Sequence, residues 1–179
     1  MNVLIAFGTT EGQTRKIARH MARLLQDIGH DVELHDCSGR TVAPNVSDFD
    51  VIVLAASVHH KRYQTAFYSF VGSNLAALQA KPLAFVSVSL SLTLASGETE
   101  ARAYVDDFIN ETGLRPNAVH LTEGAVRYFQ YGSSEELTID LLVFKGQKKM
   151  PKRDANPEYT DWQALEAFTA SFLEDAAKT

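Results

Sequence analysis

Residues 8–14 read Gly8-Thr9-Thr10-Glu11-Gly12-Gln13-Thr14, between an apolar run and an amphipathic one. Hydroxyls come from Thr9, Thr10 and Thr14. If Glu11, Gly12 and Gln13 open a helix, the first amides of that helix have no intrahelical acceptor. The helix dipole adds partial positive charge at the same place. Amides, dipole and hydroxyls together make a phosphate site that needs no cationic side chain, and Gly12 lets the backbone approach closely.

Three rival readings of this loop fail on residue content. A Walker loop requires Gly-Lys-Ser/Thr, and here Gly12 is followed by Gln13. A dinucleotide fingerprint requires three spaced glycines, and only Gly8 and Gly12 occur. A phosphorelay receiver requires acidic residues after the first strand and an aspartate ending the third. Those positions hold Gly8, Thr9, Ala56 and Ser57. A Thr/Gly turn that merely caps its helix is the remaining alternative.

Two further segments carry polar or aromatic groups at corresponding places: Ser57, Val58, His59, His60 and Tyr63, then Ser89, Leu90, Ser91 and Leu92. His59 and His60 do not form a metal site, because adjacent loop residues rarely chelate one ion and no Asp, Glu or Cys lies near them in sequence. Cys37 is the only cysteine, which excludes an internal disulfide and a cysteine cluster. No Ser-His-Asp order stands out, and the carboxylates fall mainly on helix faces where solvation explains them.

The elements that position these segments alternate. Residues 2–7 are an apolar run, as a strand buried on both faces should be. From Gly12 to Ile28, the residues Ile17, Met21, Leu24, Leu25 and Ile28 share one helical face, and Gly29 supplies the stop. Strands follow at Asp31 to Asp36 and Val51 to Ala55. A helix spans Thr65 to Leu78, and a strand Leu83 to Val88. Another helix runs from Ser96, read as its N-cap, to about Glu111, and a fifth strand begins over Ala118 to Leu121. Thr160-Asp161-Trp162-Gln163 has the form of a capping box, opening a last helix to about Ala176. Strands separated by helices predict an α/β three-layer sandwich with a five-stranded parallel sheet of order 2-1-3-4-5. Ligands in such sheets bind at the carboxyl ends of the strands, which selects the loops 8–14, 56–63 and 89–96.

The stretches Phe7 to Thr14, Ala56-Ser57-Val58 with Tyr63, Gly124-Ala125-Val126-Arg127-Tyr128, and Tyr159-Thr160-Asp161-Trp162 together resemble the flavodoxin family. More narrowly, they resemble the short bacterial menaquinone-dependent protoporphyrinogen oxidases. The resemblance implies a flavodoxin-like fold over residues 1–179. It also implies flavin mononucleotide (FMN) with its phosphate in Thr9, Thr10, Glu11, Gly12, Gln13 and Thr14. The isoalloxazine ring falls between the second and third loops, touching Ser57, Val58, His59, His60 and Tyr63 on one side and Ser89, Leu90, Ser91 and Leu92 on the other. Close family members often have tyrosine where this chain has His60. Arg127 and Tyr128 belong to a family-like stretch on the substrate side.

Residues 126–158 form an insert of no single period before the last helix. Long excursions inside compact domains are usually functional or disordered. Within 137–153, the apolar stretch Leu137 to Phe144 precedes Lys145, Lys148, Lys149, Lys152 and Arg153. Such a basic run suits an anionic membrane surface, at roughly 1 kcal/mol per Lys or Arg, or the propionates of a porphyrinogen. A solvated loop or a subunit interface is the plainer alternative. Glu135, Glu136 and Asp140 dilute the charge relative to the enzymes it resembles.

The net charge of −5 argues against broad nucleic-acid binding. No apolar run approaches the roughly 18 residues of a membrane span, and the opening residues read as a strand, not a signal peptide. Both features predict a cytoplasmic protein, with peripheral contact at the inner membrane face through 137–153. The resemblance implies an FMN-dependent oxidoreductase with porphyrinogen and quinone as partners. An electron-carrying flavodoxin that recognises protein redox partners, and a flavin-free interaction module, are the competing classes.

Overall fold

The computed structural model describes residues 1–39, 41–94, 97–125 and 157–178. Its elements are β1 (Asn2–Gly8), α1 (Gln13–Asp27), β2 (Asp31–Asp36), β3 (Val51–Ser57), α2 (Thr65–Gln79), β4 (Leu83–Ser89), α3 (Gly97–Thr112), β5 (Ala118–Glu123) and α4 (Trp162–Ala176). All five strands join one parallel sheet in the order β2-β1-β3-β4-β5, as the alternating pattern predicts. Ser96, Arg127, Tyr128 and the basic run at 137–153 lie outside the described residues. No described helix is long and apolar enough to cross a membrane.

Continuous apolar strands demand cover on both faces, and the sheet obtains it from two separate clusters. Val3, Ile5, Phe7, Val53 and Val86 pack beneath α1 and α4 with Ile17, Met21, Leu25, Leu165 and Leu173. Leu4, Ile52, Leu54 and Phe85 pack beneath α2 and α3 with Phe67, Val71, Val105 and Phe108. Phe67, Phe85 and Phe108 are fully buried, with ring centroids 5.3–6.0 Å apart. Burial of one such side chain contributes about 1.5–3 kcal/mol.

The start of α4 departs from the sequence reading. The capping box expected of Thr160 and Gln163 does not form. Asp161 is the N-cap, and its carboxylate accepts the Ala164 amide at 3.0 Å. Thr160 is instead buried. Its hydroxyl donates to the Glu123 carbonyl at 2.8 Å and accepts from Gln13 Nε2 at 2.9 Å. The capping-box pattern was satisfied in sequence, but a tertiary partner claimed the threonine.

The ends of the insert meet. Ala125 and Glu158 form an antiparallel bridge, and the Tyr159 amide donates to Gly124 O at 3.1 Å. The described residues on either side of the insert are therefore joined to each other at the end of β5.

The two N-terminal assignments separate experimentally. Asp161→Ala should lower stability by about 1 kcal/mol through the lost cap, whereas Gln163→Ala should stay within about 0.5 kcal/mol of the parent. Urea melts of both variants check this.

Candidate functional site

Parallel pairing brings the three loops together. Gly8 lies opposite Ala56, Ser57 opposite Val88, and Ser89 opposite Glu123, so the carboxyl ends of β1, β3 and β4 are adjacent. The crevice between β1 and β3 is where the chain order reverses, the place such sheets reserve for ligands.

At the first loop, Gly12 is the N-cap of α1 with φ 89°, a left-handed conformation that favours glycine. No side chain caps the helix, and its first backbone bond runs from the Lys16 amide to Gly12 O at 3.1 Å. The space where a Gly12 Cβ would point is open. The Gly12 amide itself donates to Thr9 Oγ1 at 2.9 Å, so the turn lends one of its own hydroxyls to an amide that an anion could use. Thr14 is different. It is fully buried in the first turn of α1, and its hydroxyl has no hydrogen-bond partner. A buried unsatisfied hydroxyl costs about 1–3 kcal/mol, which a structural turn has no reason to bear. A phosphate at this turn would supply a partner for the Thr14 hydroxyl. The residues present fit a mononucleotide phosphate.

The second loop is a tight hairpin. His59 and Arg62 exchange backbone bonds at 2.8 and 3.1 Å, and His60 and Lys61 between them have φ of 47° and 64°. Two consecutive non-glycine residues in the left-handed region cost about 1–3 kcal/mol each, and the sequence gives no sign of it. His60 is exposed, with its ring edge-on to that of His59 at 4.2 Å. His59 Nδ1 stands 3.6 Å from Glu11 Oε1, so the second loop lies against the first. No group of three or more potential metal ligands occurs among the described residues.

Tyr63 does not take the place that ring stacking requires. Its ring is buried against Phe67, Phe85 and Phe108, and its hydroxyl bonds Ser87 Oγ at 2.7 Å. Burial pushes its pKa far up, despite the opposing bond to Ser87. Tyr63 thus sits in the aromatic core under the loop, with no ring face toward the crevice.

In the third loop, Ser89 and Ser91 hydroxyls bond each other at 2.7 Å, and Ser89 Oγ also accepts the Ser91 amide. Leu90 and Leu92 are half-buried. This loop offers an apolar wall and backbone groups, its serine hydroxyls being engaged internally. Cys37 follows β2, and burial pushes its thiol up to about 12, which removes it from thiolate chemistry.

Sequence reasoning passed over Gln64. Its Nε2 lies 3.0 Å from Thr10 Oγ1, 3.0 Å from Ser57 Oγ and 3.1 Å from Ser57 O. It joins the first loop to the second. Only its position one residue before α2 distinguished it in the sequence, and that signal is too weak to single it out.

The flavodoxin domain model matches residues 4–154. The chain belongs to the flavodoxin family. Protoporphyrinogen IX dehydrogenase (quinone) of Escherichia coli strain K12 is 29% identical over 170 residues, covering 94% of this chain and 92% of the relative. The Leishmania major protein of the same name is 28% identical over 176 residues, covering 94% and 73%. In fold, oxidised Flavodoxin 1 from Bacillus cereus superposes with a TM-score of 0.60 at 16% identity, covering 97% of this chain and 98% of that one. Membership of the flavodoxin family makes the chain an FMN flavoprotein, and the dehydrogenase relatives make it an oxidoreductase.

Two substitutions test these placements. Thr14→Val keeps the shape and removes the orphaned hydroxyl, so the apoprotein should melt no lower than the parent. FMN affinity should fall by about 2 kcal/mol, the worth of a hydrogen bond to a charged group, or roughly thirtyfold in Kd. Fluorescence titration with FMN reads the second effect and thermal melting the first. Tyr63→Phe should cost about 1 kcal/mol of stability, because Ser87 Oγ loses its partner, and leave the FMN Kd unchanged. A large rise in Kd without loss of stability would return Tyr63 to the flavin.

Proposed function

We propose that this protein oxidises protoporphyrinogen IX to protoporphyrin IX on bound FMN and passes the electrons to a quinone. The observation that carries this reading is the similarity to protoporphyrinogen IX dehydrogenases over 94% of the chain, spanning both the FMN loops and the insert. FMN supplies the redox chemistry by accepting hydrogen from the substrate and releasing electrons to the acceptor.

The chain's own residues bind and orient. The amides at the start of α1, with Thr9, Thr10 and Thr14, grip the phosphate, and Glu11, Gly12 and Gln13 carry the backbone that encloses it. Ser57, Val58, His59 and His60 face one side of the ring site, and Ser89, Leu90, Ser91 and Leu92 the other. Loop amides aimed at the polar edge of the ring would stabilise negative charge there on reduction. The Gln13–Thr160–Glu123 bonds fix the phosphate loop to the far side of the sheet, so the loop is braced where it must hold an anion. Arg127 and Tyr128 serve the substrate side, and the basic run at 137–153 meets either porphyrinogen propionates or an anionic membrane holding the quinone.

The second reading is an electron-carrying flavodoxin whose partners are proteins. The likeness to flavodoxins across nearly the whole chain favours it. Stopped-flow mixing of the FMN-loaded protein with protoporphyrinogen under anaerobic conditions separates the two. Rapid bleaching of the flavin is the expected result, with the porphyrin band appearing once a quinone is added, because each porphyrin formed requires three rounds of flavin reduction. Bleaching no faster than with free FMN would transfer the assignment to the carrier.

A further inference from the structure

We infer that Gln64 is a positioning residue for FMN: its carboxamide turns the Thr10 and Ser57 hydroxyls so that both donate into the crevice. This inference rests on the FMN reading of the site but concerns a residue outside the three loops assigned to it.

The orientation of the amide follows from its partners. Ser57 O, at 3.1 Å, is a carbonyl and can only accept, so the nitrogen of the carboxamide must face it. The same nitrogen then meets Thr10 Oγ1 and Ser57 Oγ, each at 3.0 Å. An NH2 group has no lone pair to offer at this position, so both hydroxyls accept from it. One of its two hydrogens serves Thr10, and the other is shared between Ser57 O and Ser57 Oγ. Each hydroxyl has thereby spent a lone pair inward, and its own hydrogen points elsewhere. Neither hydroxyl otherwise prefers to donate. A serine or threonine hydroxyl rotates to suit its surroundings, and Gln64 removes that freedom on both sides of the crevice between β1 and β3.

The other end of the side chain is held by exclusion. Gln64 Oε1 is buried and has no hydrogen-bond partner. It lies 2.7 Å from the place a Cβ on Gly8 would occupy, so glycine at 8 is what lets the amide sit so close to β1. A structural glutamine with this reach would place its oxygen on an amide or in water. Leaving that oxygen unsatisfied while the nitrogen serves two loops is what a group selected for donation would do. The consequence is chemical selectivity. FMN carries acceptors on its phosphate and on the polar edge of its ring, and two donors fixed at Thr10 and Ser57 would match them.

The test is a binding cycle on the whole chain, read by quenching of FMN fluorescence as apoprotein is added. Gln64→Leu removes both donated bonds at similar volume and should weaken FMN about thirtyfold, the scale of one hydrogen bond to a charged acceptor. Thr10→Val with Ser57→Ala should weaken it by a similar factor. In the triple variant the loss should be no more than about twofold beyond that of the pair, because Gln64 acts through those hydroxyls. Gln64→Glu retains the size and reverses the polarity, so both hydroxyls must donate inward; its loss should equal or exceed that of the leucine variant, and it serves if the leucine variant fails to fold. Wild-type affinity in either Gln64 variant, or losses that multiply in the triple variant, would overturn the inference. If instead the parent protein binds no FMN, the FMN reading itself has failed.

Discussion

The orphaned Thr14 hydroxyl at the uncapped first turn of α1 is the constraint on which the proposed FMN site depends. Amides at a helix start have no acceptor within the helix, and water or a capping side chain usually meets the need. Here Gly12 offers no cap, Thr9 lends a hydroxyl to one amide, and Thr14 buries a hydroxyl with nothing to bond. The buried Thr14 hydroxyl and the uncapped helix start are what support the proposal of an anion there. The neutrality of the turn matters as well. A Walker lysine would hold a triphosphate by charge, whereas the proposed site would hold a single phosphate by geometry and dipole.

The surrounding contacts convert that loop into part of a rigid frame. Gln13 reaches Thr160, whose hydroxyl in turn reaches β5, so the phosphate loop is tied to the opposite end of the chain. Gln64 ties the same loop to the end of β3, and Glu11 approaches His59 from above. Two of these ties run through neutral amides, which bond without the desolvation cost of charge. Preorganisation of this kind lowers the ordering that binding requires. The strain at His60 and Lys61 belongs to the same frame, because a two-residue turn keeps the second loop short beside the ring site.

Much of this was legible in the residues. Apolar strands at regular intervals, each followed by a helix, leave few ways to bury both sheet faces, so the parallel sheet followed from connectivity, with 2-1-3-4-5 one of its two common orders. The strand, turn and helix start at 8–14, where the phosphate is proposed, were legible because the signals are local: a strand end, a glycine, hydroxyls and a helix start lie within seven consecutive positions. Tyr63 shows where such reading ends. Its place just past β3 suggested a ring-facing role, yet the direction of a side chain from a loop is set by which neighbour offers it a cavity. Phe67, Phe85 and Phe108 offered one, and Ser87 satisfied the hydroxyl.

The sequence by itself determined the doubly wound architecture and the three loops that share the crevice, because each rests on periodicity or on contiguous residues. Only the tertiary structure decided that Thr160 braces the phosphate loop instead of capping α4, that Asp161 caps it, and that Gln64 couples two loops. Those outcomes depend on which polar groups, tens of residues apart, arrive within 3 Å of one another. A hydrogen bond is satisfied by whichever partner the packed chain presents, and no local pattern records that choice.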